Sequence, residues 1–428
     1  MTEFDYENKG KYPYKVKVAV VGGGAAGMMA AITAAENGAS VTVFERNGSS
    51  MMGRKLGITG KGRCNVTNDA TRDEFLENIP KNPRFLYTAY AAFPPRDVMD
   101  FFESLGVPLK VERGRRVFPV SDKASDVVEA LKKKVRSTGC QTEGARVRAV
   151  RPLENGRFSV EAGNAGGEYD RVIICTGGLS YSKTGSDGDG FRMARELGHT
   201  VTDTVPSLVP IVCPGDLCPS MQGLSLKNVA LEVVNASDGK TVYRDFGEIM
   251  FTHFGLTGPM ALSASARLHD AVPGKYEARL DLKPALDEQT LDARVLSDLT
   301  KYRNKDFSNA LSALLPQKMI APFVEMTGIP GTEKANSVTR EQRRKIIECL
   351  KCFRVAISGL RPIEEAIVTS GGISVREIDP KTMESKLIPG LFFAGEIIDV
   401  DAYTGGYNLQ IAWSTGRLAG IAAAKEKE

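Results

Sequence analysis

The clearest chemistry in this sequence belongs to residues with almost no side chain. Gly22-Gly23-Gly24-Ala25-Ala26-Gly27 follows an apolar run, Val16 to Val21, and opens an Ala-rich segment closed by Gly38. A second apolar run, Val41 to Phe44, ends in Glu45 and Arg46. Gly22 allows a tight turn after a strand. Gly24 lets the backbone approach a ligand, and Gly27 lets a helix pack closely on the strand. The first N–H groups of that helix then present partial positive charge, which suits phosphate. Ala25 and Ala26 lie in the same turn. Glu45 comes 18 residues after Gly27, close to the spacing at which an acid accepts from ribose hydroxyls. A glycine turn alone is weak evidence, but strand, turn, helix and acid agree here, so the stretch predicts a dinucleotide site.

The elements that must position this site are spread along the chain. Residues 48 to 69, GSSMMGRKLGITGKGRCNVTND, read as a long basic, glycine-rich loop leaving the second strand. Loops of this length inside a domain are usually functional. Its Met51, Met52, Leu56, Ile58 and Val66 need cover. Ser125 is placed to cap a helix through Arg136, and Asn155-Gly156 signals a hairpin. RVIICTGG, ending at Gly178, returns an apolar strand into glycine. Ser186 to Gly190 lacks the later glutamate of a calcium loop and reads as a turn into a helix from Phe191 to Leu197. From Thr200 to about Leu282 short alternating runs predict a small barrel or sandwich. Residues 284 to 348 turn helical and charged. The last part ends in GLFFAGEIIDVDAYTGGYNLQIAWSTG: strand, acidic turn, glycine pair, small-residue helix.

Composition narrows the class. The chain has 428 residues, a net charge of +4, and ordinary globular proportions. That charge gives no case for nucleic acid or an anionic membrane as partner. No apolar run reaches the roughly 20 residues that span a bilayer. The polar, acid-bearing start MTEFDYENKGKYPYK is not a signal peptide and reads as a loosely held extension. Seven scattered cysteines suit a reducing cytoplasm. Cys349 and Cys352 lack the partners of a metal site and read as buried thiols, so no metal is expected. Cys213 and Cys218 flank Pro214 and Gly215 and read as a surface turn rather than a redox centre.

The order of these parts predicts an α/β protein built on a split Rossmann-like FAD domain of glutathione-reductase type. A β-barrel-like domain is inserted in it, and a helical segment is inserted in the barrel. The boundaries read as 1–198 and 361–428 for the FAD domain, 199–283 and 349–360 for the barrel, and 284–348 for the helices. The late acidic turn favours FAD over a resident nicotinamide cofactor, because a nicotinamide dehydrogenase normally completes its cofactor domain first.

Several blocks resemble one family. They are GRKLGITGKGRCNVTN, TGGLSYSKTGSDGDGF, PSLVPIV, FTHFGLTGPMAL, and the long block from Val368 to Gly416. The chain from residue 16 on is similar to the aminoacetone-oxidase-like, BaiN-like flavoproteins, commonly described as NAD(P)/FAD-dependent oxidoreductases. Ser182 and Gly57 depart from the family pattern. The resemblance implies an FAD-dependent oxidoreductase moving hydride through flavin N5 to a small organic substrate. NADH or NADPH would visit as donor, since no second glycine fingerprint holds it. The alternatives are an oxygen-using amine oxidase of the same family, and a non-catalytic or RNA-modifying flavoprotein. The oligomeric state stays open.

The residues then take roles. Gly22, Gly24, Ala25, Ala26 and Gly27 hold the pyrophosphate, and Glu45 and Arg46 the adenosine ribose side. Arg54 and Lys55 neutralise phosphate or fix the ribityl side. The family pattern implies that Thr59, Gly60, Gly62, Arg63 and Asn65 lie near the flavin edge. Val147 holds adenine through its backbone, and Thr176, Gly177 and Gly178 meet the ADP part. Gly395 and Glu396 meet the ribityl hydroxyls, with Asp399 as rival to Glu396. Gly406, Asn408 and Leu409 open a helix facing flavin N1–O2. Cys64 and His253 are the only side chains weighed as catalytic; filler and structural roles are favoured for them.

Overall fold

The computed structural model describes residues 15–426, so the polar start expected to be loosely held lies, but for Lys15, outside them. The chain divides into two compact units, 1–204 with 369–428, and 205–368. The first boundary follows from pairing: Thr202 N–H donates to Gly372 O (2.8 Å) and Ser374 N–H to Thr200 O (2.9 Å).

The first unit is built on β1 (Lys17–Val21), α1 (Ala25–Glu36) and β2 (Ser40–Phe44). Next come α2 (Arg54–Gly62), α3 (Ala124–Ser137), β3 (Gln141–Glu143) and β4 (Arg171–Ile174). β5 (Leu391–Phe393) and α4 (Tyr407–Ala423) complete it. The five strands form one parallel sheet in the order β5, β4, β1, β2, β3. Val20 faces Ile173 on one side and Val43 on the other. β1, β2, β4 and β5 are near-continuous apolar runs because helices cover both faces of a parallel sheet. Sequence separation is no guide to this order: β5 joins the sheet some two hundred residues after its neighbour β4.

α1 and α4 pack together more closely than ordinary side chains permit. A Cβ on Gly416 would stand 2.4 Å from Ala26 O, and one on Gly420 2.5 Å from Ala30 O. Small residues on both helices therefore set their separation. The buried face of α4 is pinned at one end by polar contacts. Gln410, fully buried, accepts from Thr67 Oγ1 (2.5 Å) and donates to Phe93 O (2.7 Å). Trp413 Nε1 donates to Val66 O (2.9 Å).

Two local expectations change. The stretch 48–69 is not one loop: it contains α2 and a short strand at Thr67–Asn68. Met52, Leu56 and Val66 are buried and anchor it, while Met51 and Ile58 stay exposed. α3 begins at Ala124, and Ser125 does not cap it; its hydroxyl turns to Asp126 (3.2 Å).

The second unit holds a seven-stranded antiparallel sheet with its own core. Its outermost strands, Phe353–Ile357 and Gly359–Leu360, are separated only by Ser358, so the sheet curls back on itself like a barrel. Four helices between Glu288 and Lys351 sit between strand Tyr276–Asp281 and strand Phe353–Ile357. Cys213 and Cys218 are buried, not at the surface; only Pro214 to Asp216 between them are exposed. Cys349 and Cys352 are half-buried rather than buried.

Gly416→Val should force α1 and α4 apart. Overpacking of this kind costs about 1–3 kcal/mol. Urea unfolding of the apoprotein should show that loss; unchanged stability would mean the helices are not held by this approach.

Candidate functional site

Four sheet strands deliver their ends to one edge. Gly22 to Gly24 follow β1, Glu45 follows β2, Cys175 to Gly178 follow β4, and Ala394 to Glu396 follow β5. In open parallel sheets ligands bind outside the carboxyl ends of strands. Each glycine of the first turn has a distinct neighbourhood. A Cβ on Gly22, whose φ is +106°, would lie 2.5 Å from Cys175 O. One on Gly27 would lie 1.9 Å from Gly22 O. One on Gly24 would meet nothing within 4 Å. Gly22 and Gly27 are thus required by the protein itself, while Gly24 opens onto free space beside the N-terminus of α1.

Glu45 is already oriented. Its Oε2 accepts from Gly23 N–H (3.2 Å), and its Oε1 from Asn47 N–H and Nδ2 (3.0 Å each). Arg46 pairs with Asp187 and, at 3.5 Å, with Asp189. Val147 is buried just before the hairpin strand Ala149–Pro152. The Asn155-Gly156 hairpin forms as the dipeptide suggests, Leu153 N–H donating to Arg157 O (2.8 Å).

The middle of the edge is a polar clamp. Lys55 Nζ donates to Ser180 Oγ (2.7 Å) and Glu396 Oε2 (2.6 Å). Glu396 Oε1 accepts from Ser180 Oγ (2.9 Å) and Thr369 N–H (2.9 Å). Thr369 Oγ1 in turn accepts from Leu179 and Ser180 N–H at 2.8 and 3.1 Å. A side chain on Gly178 would collide with that hydroxyl at 2.4 Å. Ser180 and Thr369 were not singled out from the sequence, and no local motif marks them. Arg54, beside Lys55, is exposed.

Beyond the clamp the backbone leaves ordinary conformations. Thr59 turns extended inside α2, and Gly60, Lys61, Gly62 and Cys64 all have positive φ. Left-handed non-glycine residues cost of order 1 kcal/mol or more each and cluster at ligand clamps. Cys64 is fully buried, and its backbone N–H donates to Thr59 O (3.0 Å); burial pushes its thiol up to about 12, so it stays protonated at neutral pH. That suits a filler better than a nucleophile. Arg63 turns away from the edge, paired with Glu112 and Asp122 and stacked 4.1 Å from the Phe118 ring. Gly406, at φ +102°, begins α4, and a Cβ there would meet Thr67 O at 2.4 Å. The Asn408 side chain holds the preceding loop through Ala402 N–H (2.9 Å) and O (2.7 Å). His253 belongs to the second unit, exposed and edge-on to Phe254 at 4.9 Å.

Unsatisfied buried atoms test whether these residues suit a polar cofactor. Thr176 Oγ1, Asn65 Oδ1 and Asn68 Oδ1 are buried without a hydrogen bond. Such atoms are uncommon in native proteins and call for a partner. They stand after β4, beside Gly406, and in the short strand Thr67–Asn68, where Asn68 Nδ2 donates to Gly405 O (2.9 Å) just before α4. With the open cradle at Gly24 they fit a long ligand lying along the edge from α1 to the start of α4. Asn68 was missed by the sequence reading although it closes the NVTN motif.

Fold and edge together define a flavoprotein oxidoreductase with a Rossmann-type FAD-binding fold. Residues 16–422 match the HI0933-like protein Rossmann domain family, and the chain belongs to it, as its sequence blocks led one to expect. It is similar to the 3-dehydro-bile acid delta(4,6)-reductase of Clostridium scindens, 31% identical over 96% of this chain and 99% of that one. It is also similar to the ribosomal RNA dihydrouridine synthase of Escherichia coli, 30% identical over 92% and 95%. Among solved structures, the 3-ketosteroid delta1-dehydrogenase of Sterolibacterium denitrificans shares the fold, with a TM-score of 0.51 and 15% identity over 95% and 99%. Among the described residues no helix is long and apolar enough to cross a membrane.

Gly24→Val should fold but fail to retain FAD, because its new side chain fills only the cradle. Released cofactor measured by chromatography checks this; a variant that keeps one FAD per chain would misplace the phosphate turn. Glu45→Ala and Glu396→Ala should differ in kind. A lost hydrogen bond to a buried polar partner costs about 1–3 kcal/mol, so both should weaken FAD binding. At saturating FAD only Glu396→Ala should shift the flavin spectrum and reduction potential, and equal shifts would refute the assignment of the two acids to opposite ends.

Proposed function

We propose that this protein uses FAD to saturate a carbon–carbon double bond conjugated to a carbonyl, with NADH or NADPH as a visiting donor. One observation carries the reading. Two relatives matched over nearly the whole chain are named for that change, one on a 3-keto bile acid and one on uridine in ribosomal RNA. When bound and reduced, FAD supplies hydride from N5.

The chain's residues divide the work. Gly22, Gly24, Ala25, Ala26 and Gly27 receive the pyrophosphate at the start of α1. Glu45 and Arg46 serve the adenosine ribose side, Val147 the adenine, and Thr176 to Gly178 the ADP part. Lys55, held by Glu396 and Ser180, keeps one N–H free for the ribityl side; an ammonium has three donors and two are engaged. Thr59, Gly60, Gly62 and Asn65 border the ring, while Arg63 turns away to Glu112 and Asp122. The N–H groups of Gly406, Asn408 and Leu409 favour negative charge at the N1–O2 edge. Glu396 therefore acts on the ribityl chain largely through Lys55, with Asp399 placed elsewhere in the same loop.

The substrate has two supported forms. A small enone fits the bile-acid relative. Uridine in RNA fits the Escherichia coli relative, and that relative outweighs the exclusion drawn from a net charge of +4. The test reduces the holoprotein anaerobically with NADH or NADPH and then adds a 3-keto-4-ene steroid or unmodified ribosomal RNA. Return of the oxidised-flavin spectrum with one of them is expected and names the class. Failure of both would overturn the reading, and anaerobic reduction of the flavin by an amine would put amine oxidation in its place.

A further inference from the structure

Resting on that reading, we propose that Lys81, held by Asp399, is the cation that receives the negative charge formed on the substrate's carbonyl oxygen. Asp399 lies in the loop between the Glu396 turn and the start of α4, the two places assigned to opposite ends of the flavin half. Lys81 Nζ stands 2.6 Å from Asp399 Oδ1. The carboxylate side chain is 5% exposed and the lysine 42%, so the acid lies beneath and the ammonium faces outward.

The segment carrying Lys81 is fixed along this loop. Asn82 Nδ2 donates to Asp399 O (2.8 Å), and Tyr403 N–H to Asn78 O (2.9 Å). Pro80 and Pro83 flank the lysine, and Asn82 has φ +55°. Proline fixes its own φ and restricts the residue before it. A lysine set in so constrained a turn loses less freedom when it binds. Among the other cations of the edge, Arg46 is committed to Asp187, Arg63 to Glu112 and Asp122, and Lys55 in part to Ser180 and Glu396, while exposed Arg54 lies on the phosphate or ribityl side in the proposed assignment. Lys81 has one described partner and three N–H donors, which leaves donors for an oxyanion.

The reaction needs such a group. FAD, when bound and reduced, would supply a hydride that forms a C–H bond at the β-carbon as the C=C π bond breaks. Its electron pair moves through the conjugated system onto the carbonyl oxygen, giving an enolate. The enolate is then protonated at the α-carbon by water, and the carbonyl re-forms. The substrate gains one hydride and one proton, and FAD returns oxidised. A fixed ammionium beside the oxygen stabilises the enolate more than the ketone, which lowers the barrier to hydride addition.

The test uses the FAD-loaded protein and 4-chlorophenol, whose phenolate mimics an enolate oxygen. Wild-type protein should bind the phenolate with a long-wavelength charge-transfer band. Lys81→Met should weaken that binding about tenfold or more, as expected for loss of a charge-assisted hydrogen bond, and Lys81→Arg should largely restore it. An unchanged flavin spectrum and melting temperature will show that Lys81→Met remains folded and loaded. Equal affinity in Lys81→Met, or no phenolate binding by wild type, would overturn the proposal. Lys81-dependent phenolate binding without reduction of enone or uridine would sink the functional reading and leave the oxyanion subsite standing.

Discussion

The first unit depends on the approach of α1 to α4. Both helices direct their N-termini to the carboxyl edge, one at Gly24 and one at Gly406. Their backbones come so close that Gly416 and Gly420 leave no room for a methyl group against Ala26 O and Ala30 O. One contact therefore sets the distance between two sources of partial positive charge. A cofactor with phosphate in its middle and an electron-accepting ring at one end requires both at fixed separation. The Gln410 and Trp413 hydrogen bonds add the remaining constraint, since they stop α4 from sliding along its axis.

The clamp of Lys55, Ser180, Thr369 and Glu396 solves a related problem. The segments it joins are far apart in sequence: Lys55 and Glu396 are 341 residues apart. A split sheet can be closed by apolar burial alone, but apolar burial does not orient polar groups. Here the Glu396 carboxylate receives donors from three segments, at Lys55, Ser180 and Thr369, and the Thr369 hydroxyl receives two from Leu179 and Ser180. Half-buried networks of this kind are worth keeping only when fully satisfied, because an unpaired member would cost more than it contributes. The clamp meets that condition and leaves the lysine one donor to spare.

What the sequence disclosed follows from which features are backbone requirements. Gly22 and Gly27 were legible because turn and helix contact each forbid a side chain, and the spacing records both, with Gly24 opening onto free space between them. The parallel sheet and its late fifth strand were legible from apolar runs ending in glycine. α2 was not, because Gly57 is a poor helix former and the helical turns give way at Thr59, before Gly60 and Gly62 at positive φ. Burial of Met52 and Leu56 overrides that propensity, and burial is a tertiary property. Arg63 illustrates what a local block leaves out. Its place in the GKGRCN block suggested a ligand, yet Glu112 and Asp122, brought near by the fold, already neutralise it. The lysine–glutamate clamp and the Lys81–Asp399 pair have no local pattern at all.

This division bears on how the family came to hold such different relatives. The cofactor edge is made from backbone geometry and helix ends, which change little without losing the fold. Charge transfer to a conjugated carbonyl asks only for hydride on one side and a donor to oxygen on the other. A steroid enone and a uracil ring both present that pattern, although one is a small apolar molecule and the other part of a polyanion. On the proposed reading, a protein that fixes the hydride source and a cation at the oxygen can change substrate class by altering only the side chains that surround them. Net charge is then a poor guide to which substrate a given chain takes, because the reacting centre sees the local donors and not the sum over 428 residues.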